Sequence, residues 1–320
     1  MLEQLKFVAG AVAKKDFLPA MTHFVIENGF VRSFNGTLAI CSPIPIDINC
    51  KPKALTMVKA IGQCKDASTT TMTMTPAGRL SIKNGSFRAL IECVEESAVH
   101  VMPEGDIVEI DGKMMVECFK VLEPFIGDDA SRPWSNGILF QDMSAFATCN
   151  VVLVERWLGV QFPRNVVIPL SAVREVLRVG EPPTHAQCTD KSFTFHYSDG
   201  RWIRTQLLDP TAWPQLDKIL NRDCKPVPLA DGMFDGLATI KPFADKELRV
   251  YFNGSVMSTH TTDEEGARME VEGMDMIGVY AIDMLQLLQG VATKADFTAY
   301  PGPCAFFGEM IRGVIIGRKA

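Results

Sequence analysis

The chain has 320 residues with 47% hydrophobic and 22% charged content, which excludes a single small module and a chain disordered throughout. No apolar run reaches the roughly 18 residues that span a bilayer and no secretory leader opens the chain, so the expected compartment is the cytoplasm, with no membrane partner. The formal charge of −6 excludes a protein coated in base, and nine cysteines without a C-x-x-C pair read as small buried hydrophobes in a reducing compartment, not as a disulfide framework or a Cys-rich zinc site.

Taken in chain order, helical periodicity first begins at Leu2, with Leu2, Leu5, Ala9 and Val12 on one face. A second helix begins at Lys53, with Leu55, Val58 and Ile61, and Asn84-Gly85 then predicts a hairpin turn before a strand over residues 86–93. The third follows Asp111-Gly112 and carries Met115, Cys118, Phe119 and Leu122. The fourth begins at Leu170, with Val173, Val176 and Leu177. Beyond it Phe193, Phe195 and Tyr197 alternate with Thr194 and His196, and Asp199-Gly200 turns the chain into a strand over 201–204. The fifth helix begins at Asp231, with Phe234, Leu237 and Ala238, and Asn253-Gly254 joins strands over 248–252 and 255–260. The sixth begins at Ala281, with Met284, Leu287, Leu288 and Val291.

Six helix-plus-strand units of about 55 residues therefore nearly fill the chain. One helix on three or four strands covers a single sheet face, so the units are expected to pair into three similar α+β domains, 1–104, 105–223 and 224–320. Gly, Pro and polar residues at Pro103-Glu104-Gly105 and over 223–226 mark the joints. Charge is unevenly spread: the six helical windows hold 14 Lys or Arg and 8 Asp or Glu, whereas the rest of the chain is net −12. The window 51–65 has four lysines and no acid. Such helices are either ordinarily solvated or gathered on one surface that attracts a polyanion without reading its sequence.

The segment Arg132-Pro133-Trp134-Ser135-Asn136-Gly137-Ile138-Leu139-Phe140 resembles the start of the middle domain of bacterial DNA polymerase III beta subunits, the sliding clamps. Val167-Ile168-Pro169 before the Leu170 helix, the strand over 201–208 and the pair Trp213-Pro214 follow in that family's order. Phe17-Leu18-Pro19 and Ile277-Gly278-Val279 extend the likeness toward both ends. The resemblance implies a head-to-tail homodimer, three domains per subunit, with helices lining a hole around double-stranded DNA and sheets outside. It implies a processivity factor for a DNA polymerase, opened by a clamp loader ATPase, with no cofactor, no metal and no catalysis.

On that resemblance Lys15, Arg132 and Trp134 touch DNA, and the helix residues Lys6, Lys53, Lys59, Lys120 and Arg174 face the same duplex. The plainer reading of Trp134 is a packed surface aromatic. An apolar partner peptide would dock on Val152, Arg156, Trp157, Pro214, Ile219, Tyr280, Met284, Ile315, Ile316 and Arg318. Phe87, on an edge strand, and Ile240, on the fifth helix, are nominated for the subunit interface. Each of these is otherwise ordinary core. The family's threonine, glycine, histidine, arginine signature is missing, and Leu153-Val154-Glu155-Arg156-Trp157 occupies its region, which points to a divergent or phage-encoded member.

Two other classes compete. A clamp-shaped scaffold or decoy would share the fold without encircling DNA. An enzyme would need a site, and the candidates are thin: Asp128-Asp129 reads as a solvated loop, and His185 and Cys188 have ligand spacing without a second pair. The five histidines (His23, His100, His185, His196, His260) form no H-E-x-x-H, and the sequence has neither a G-x-S-x-G elbow nor a P-loop.

Overall fold

Helical spacing becomes helix at all six predicted places. The computed structural model describes residues 1–15, 18–66, 68–96, 101–262 and 265–319; Phe17, His100 and Ala320 lie outside the described residues. Its helices are α1 (Leu2–Val8), α2 (Ala54–Gln63), α3 (Gly112–Leu122), α4 (Leu170–Val179), α5 (Leu216–Leu220), α6 (Met233–Ile240) and α7 (Ile282–Gln286). α5 is the unpredicted one; α7 is as short, and the predicted Leu287, Leu288 and Val291 lie beyond its end. No helix among the described residues is long and apolar enough to cross a membrane.

α3 buries the whole predicted stripe of Met115, Cys118, Phe119 and Leu122. Asp111 caps it, accepting from the backbone N–H groups of Lys113 and Met114 at 3.0 Å each. Other stripes lie out of phase with prediction. α1 buries Leu5, Phe7 and Val8 and leaves Leu2, Ala9 and Val12 half-buried. α2 buries Ala54, Met57, Ala60 and Ile61, whereas Leu55 is 55% exposed and Val58 half-buried. Neighbouring residues stand about 100° apart round a helix, so the alanines facing the adjacent elements put Leu55 outside. In α6 Met233, Gly236, Leu237 and Ile240 are buried, while Phe234 is half-buried and Ala238 exposed. Burial of the cysteines is complete for five, Cys41, Cys50, Cys118, Cys188 and Cys304, and partial for the other four.

The described residues gather into two units. In the first, Met1–Val116 with Ser171–Leu207, seven antiparallel strands run in the order Val25–Glu27, Phe30–Phe34, Leu38–Pro43, Trp202–Gln206, Ser192–His196, His185–Cys188 and Asp106–Val108. An early and a late segment meet at its centre, with Ile40 opposite Ile203 and Cys41 opposite Trp202. The Asp199-Gly200 hairpin forms as predicted, Gly200 taking φ +82° and Tyr197 N–H bonding to Arg201 O. The expected in–out alternation along 193–197 does not hold, because Thr194 is as buried as Phe193 and Phe195: a strand inside a seven-stranded sheet has both faces covered there. A separate three-stranded sheet holds Thr71–Met74, Leu80–Asn84 and Phe87–Ile91, the last two joined at Asn84-Gly85.

The second unit is Glu117–Leu170 with Leu208–Ala320. Eight antiparallel strands run Val166–Pro169, Gly137–Gln141, Ser144–Thr148, Val152–Trp157, Ile311–Ile316, Pro303–Gly308, Lys294–Asp296 and Val227–Pro228. Four more run Arg268–Glu270, Val256–Ser258, Arg249–Gly254 and Met276–Ala281. The junction between Val152–Trp157 and Ile311–Ile316 is tight because residue 313 is glycine. A Cβ there would lie 2.4 Å from Leu153 O and 2.3 Å from the Phe306 ring. Gly313→Ala is expected to lower stability by about 1–3 kcal/mol, read as a fall in the urea midpoint, and an unchanged midpoint would contradict the close approach.

Candidate nucleic-acid interface and partner groove

In the first unit α1 touches α2, and α4 is tied to the α1 segment by charge. The Glu175 carboxylate, 7% exposed, accepts from Arg178 Nε at 3.0 Å on both oxygens and from Nη2 at 2.5 Å. Arg178 Nη2 also donates to Phe7 O at 2.8 Å. Behind it Phe7 meets Tyr197 edge to face at 5.8 Å, and the Arg201 guanidinium lies over both rings, 4.7 and 5.4 Å from their centroids. Burial pushes the Tyr197 hydroxyl above its ordinary range, so it stays neutral.

The predicted cations sit on or beside these helices. Lys6, Lys15, Lys59 and Arg174 are exposed, and Lys53 is half-buried at the start of α2. Lys6 forms an exposed pair with Glu3 at 3.0 Å, a contact that holds the ammonium weakly. In the second unit Lys120 is exposed on α3 and Arg132 in the loop ahead of the turn Pro133–Ser135. Trp134 is half-buried and meets Trp213 at 5.3 Å, edge to face.

The partner groove divides. On one face of the eight-stranded sheet α5 and the segment before it cover Leu139, Phe146, Leu153, Val167, Leu220 and Val314, with Leu208, Trp213, Leu216 and Ile219 packed over them. Alternate residues of a strand point to opposite faces, so Val152 and Ile315, paired across the junction, lie on the other face and are fully buried. Arg156 shares that side; burial pushes the Cys118 thiol of α3 up to about 12, and the Arg156 charge works against the rise. Tyr280 is core as well, with Phe252, Phe297 and Tyr300 within 6.0 Å by ring centroid and its hydroxyl 3.2 Å from Cys304 Sγ. These four nominations are corrected by a one-residue phase error or by complete burial. Trp157 is exposed, but at the far end of its strand beside the hairpin tip, its N–H bonding to Met310 O at 2.9 Å.

Pro214, Ile219, Met284, Ile316 and Arg318 do keep surface. Met284 Sδ lies 3.6 Å from Cys149 Sγ. The tail is laid down by backbone bonds from Ile316 N–H to Val151 O and from Arg318 N–H to Val279 O, and Tyr300 Oη donates to Arg318 O at 2.7 Å. Leu153, Val314, Leu220 and Trp213 were not nominated; the alternation of Leu153 against Val152 is the signal that identifies the first two. Arg312 bonds to Glu155 and to Asn221 Oδ1 at 2.9 Å, just beyond α5.

Of the interface nominations, Phe87 is half-buried on an outer strand of the three-stranded sheet, while Ile240 is 1% exposed and offers no side-chain surface. The enzyme candidates dissolve. Asp129 folds its own loop, and the hydroxyl and amide of Ser131 hold its carboxyl below the usual range. His185 and Cys188 stand three positions apart on one strand and so point to opposite faces. Among the described residues no group of three metal-ligating side chains occurs.

No protein-family model and no curated protein matches the sequence. Solved structures do match, over 100% of this chain and 97% of theirs. The DNA polymerase sliding clamp of Bacillus subtilis aligns with a TM-score of 0.82 at 15% identity. Pol III beta of Caulobacter crescentus gives 0.84 at 15%, and the DNA polymerase III subunit beta of Pseudomonas aeruginosa 0.83 at 13%. The fold is that of the bacterial sliding clamp. In this version of the clamp fold Arg178, held by Glu175 within α4, fastens α4 to α1 through Phe7 O, so Arg178→Met, which strands a buried carboxylate, is expected to cost about 2–4 kcal/mol, with part recovered by adding Glu175→Gln. Thermal unfolding checks it; an unshifted midpoint for the single variant would contradict the assignment.

Proposed function

We propose that this chain is a DNA sliding clamp, a subunit of a closed ring that encircles duplex DNA and tethers a replicative DNA polymerase. Full-length likeness to clamps carries the reading, and the exposed cations on the helices of a chain that is acidic overall support it. Phosphate attraction of this kind carries no sequence information and is screened by salt, so it holds DNA loosely enough to slide. The task makes and breaks no bond and asks for no cofactor.

Each subunit supplies three domains, 1–104, 105–223 and 224–320, and two copies close head to tail. Open sheet edges support this. Leu38–Pro43 and Val152–Trp157 have found partners within the chain, whereas Phe87–Ile91 and Arg268–Glu270 each end a short sheet. Joining these edges between copies makes seven strands, the number in the continuous sheet of the first unit. A heterologous contact that closes after two copies leaves no free edge of that type. The surface at Pro214, Ile219, Met284 and Ile316 then receives an apolar peptide from the polymerase or from the clamp loader ATPase, in the cytoplasm.

After loader-driven assembly the protein should stay on closed circular DNA and run off linear DNA within the wash time of a gel-filtration experiment. Equal retention on both forms would contradict a topological tether. Lys59→Glu with Lys120→Glu should weaken DNA association several-fold at about 0.1 M salt and flatten the dependence of log K on log salt, because fewer counterions are released. An unchanged slope would remove these residues from the DNA-facing surface.

A further inference from the structure

In the first unit the strands His185–Cys188 and Ser192–His196 pair antiparallel, and His185 stands directly opposite His196. Residues so placed hold their Cβ atoms about 4.5–5.5 Å apart, so the two side chains share one patch of the sheet face. The imidazoles are stacked, their planes within 1° and their centroids 4.6 Å apart. Both rings are half-buried, and Trp202, next to His196 in the cross-strand row, gives the pair an apolar flank.

The hydrogen bonds around the pair decide where each ring carries its proton. Thr184 Oγ1 has one hydrogen and donates it to His196 O at 3.2 Å, so toward His185 Nδ1, 3.0 Å away, it accepts. His185 is therefore protonated on Nδ1 and keeps the lone pair on Nε2. The Gln187 amide is oriented by its Nε2 group, which donates to Gly105 O at 3.0 Å, and so presents Oε1 to His196 Nε2 at 3.3 Å. That oxygen can only accept, so His196 is protonated on Nε2 and keeps the lone pair on Nδ1.

Each ring thus has one nitrogen engaged by a protein oxygen and one lone pair left for a ligand. Histidines that ligate metals are held in this way, with the second nitrogen donating to an oxygen that fixes tautomer and orientation. Among the described residues no Cys, Asp or Glu joins the pair as a third ligand. Imidazole without carboxylate suits nickel, copper and zinc, whereas calcium and magnesium ask for oxygen ligands.

We propose that His185 and His196 bind one divalent ion of the nickel, copper and zinc group through His185 Nε2 and His196 Nδ1, with water in the remaining positions. In the bound state each ring turns about its Cβ–Cγ bond to aim its lone pair at the ion, at the distance of about 2.0–2.1 Å usual for imidazole on zinc. The ion then joins the strand His185–Cys188 to Ser192–His196 by side chains as well as by backbone. Thr184 and Gln187 are positioning residues. The inference does not depend on the clamp reading.

The test is calorimetric titration of the full chain, reduced and stripped with chelator, with nickel chloride. One ion per chain is expected at micromolar affinity, weakened at least tenfold by His185→Ala or by His196→Ala and unchanged by His260→Ala in the second unit, with thermal unfolding confirming that each variant folds. Magnesium chloride should bind at least tenfold more weakly. Thr184→Val and Gln187→Leu, which free a ring without removing a ligand, should each weaken binding about tenfold or more. Long-range proton–nitrogen NMR of the unaltered chain needs no variant: it should show His185 as the Nδ1–H form and His196 as the Nε2–H form, and nickel should broaden these two rings first. Four results would overturn the proposal: no saturable binding at millimolar nickel, equal affinity in either alanine variant at positions 185 and 196, equal binding of magnesium, or ring signals of the opposite tautomers that nickel leaves sharp.

Discussion

Backbone hydrogen bonding across two seams is what the rest of this molecule rests on. Leu38–Pro43 pairs with Trp202–Gln206 and Val152–Trp157 with Ile311–Ile316, each joining segments about 160 residues apart. An edge strand carries a row of unsatisfied N–H and C=O groups, and each seam satisfies two such rows at once. Side chains then fix the register. A slip of one residue would turn Leu153 and Val314 away from α5 and drive Val152 and Ile315 into it. Gly313 permits the approach, and the packing of Phe7, Tyr197 and Arg201 secures α1 in the first unit.

Two chemistries are carried by different elements. Long flexible cations on helices suit a polyanion held without geometry, and the apolar shelf at α5 suits a peptide side chain. The formal charge of −6 is therefore a poor guide to local charge, since the helical windows are net basic and the rest of the chain is net acidic.

Much of this was legible from residue order. Six helices and the hairpins at Asn84-Gly85, Asp199-Gly200 and Asn253-Gly254 are local events, set by spacing and turn chemistry, and all form. Phase was less legible. Leu55 is the larger hydrophobe, yet Ala54 and Ala60 face inward, because close packing of elements selects short side chains that a hydrophobic count undervalues. The groove nominations failed where burial is decided by a strand far along the chain: Val152 is covered because Ile311–Ile316 lies beside it, and no local pattern announces that neighbour. Tyr280 is enclosed by Phe252, Phe297 and Tyr300, and Ile240 lies on the buried face of α6.

The measurement closest to the central claim is amide hydrogen exchange of the whole protein at two concentrations. If edge pairing governs assembly, the seam strands Leu38–Pro43, Trp202–Gln206, Val152–Trp157 and Ile311–Ile316 remain protected at both. Phe87–Ile91 and Arg268–Glu270 should be protected at micromolar concentration and lose that protection on dilution to nanomolar. Free exchange of these two short edges at every concentration would contradict the account.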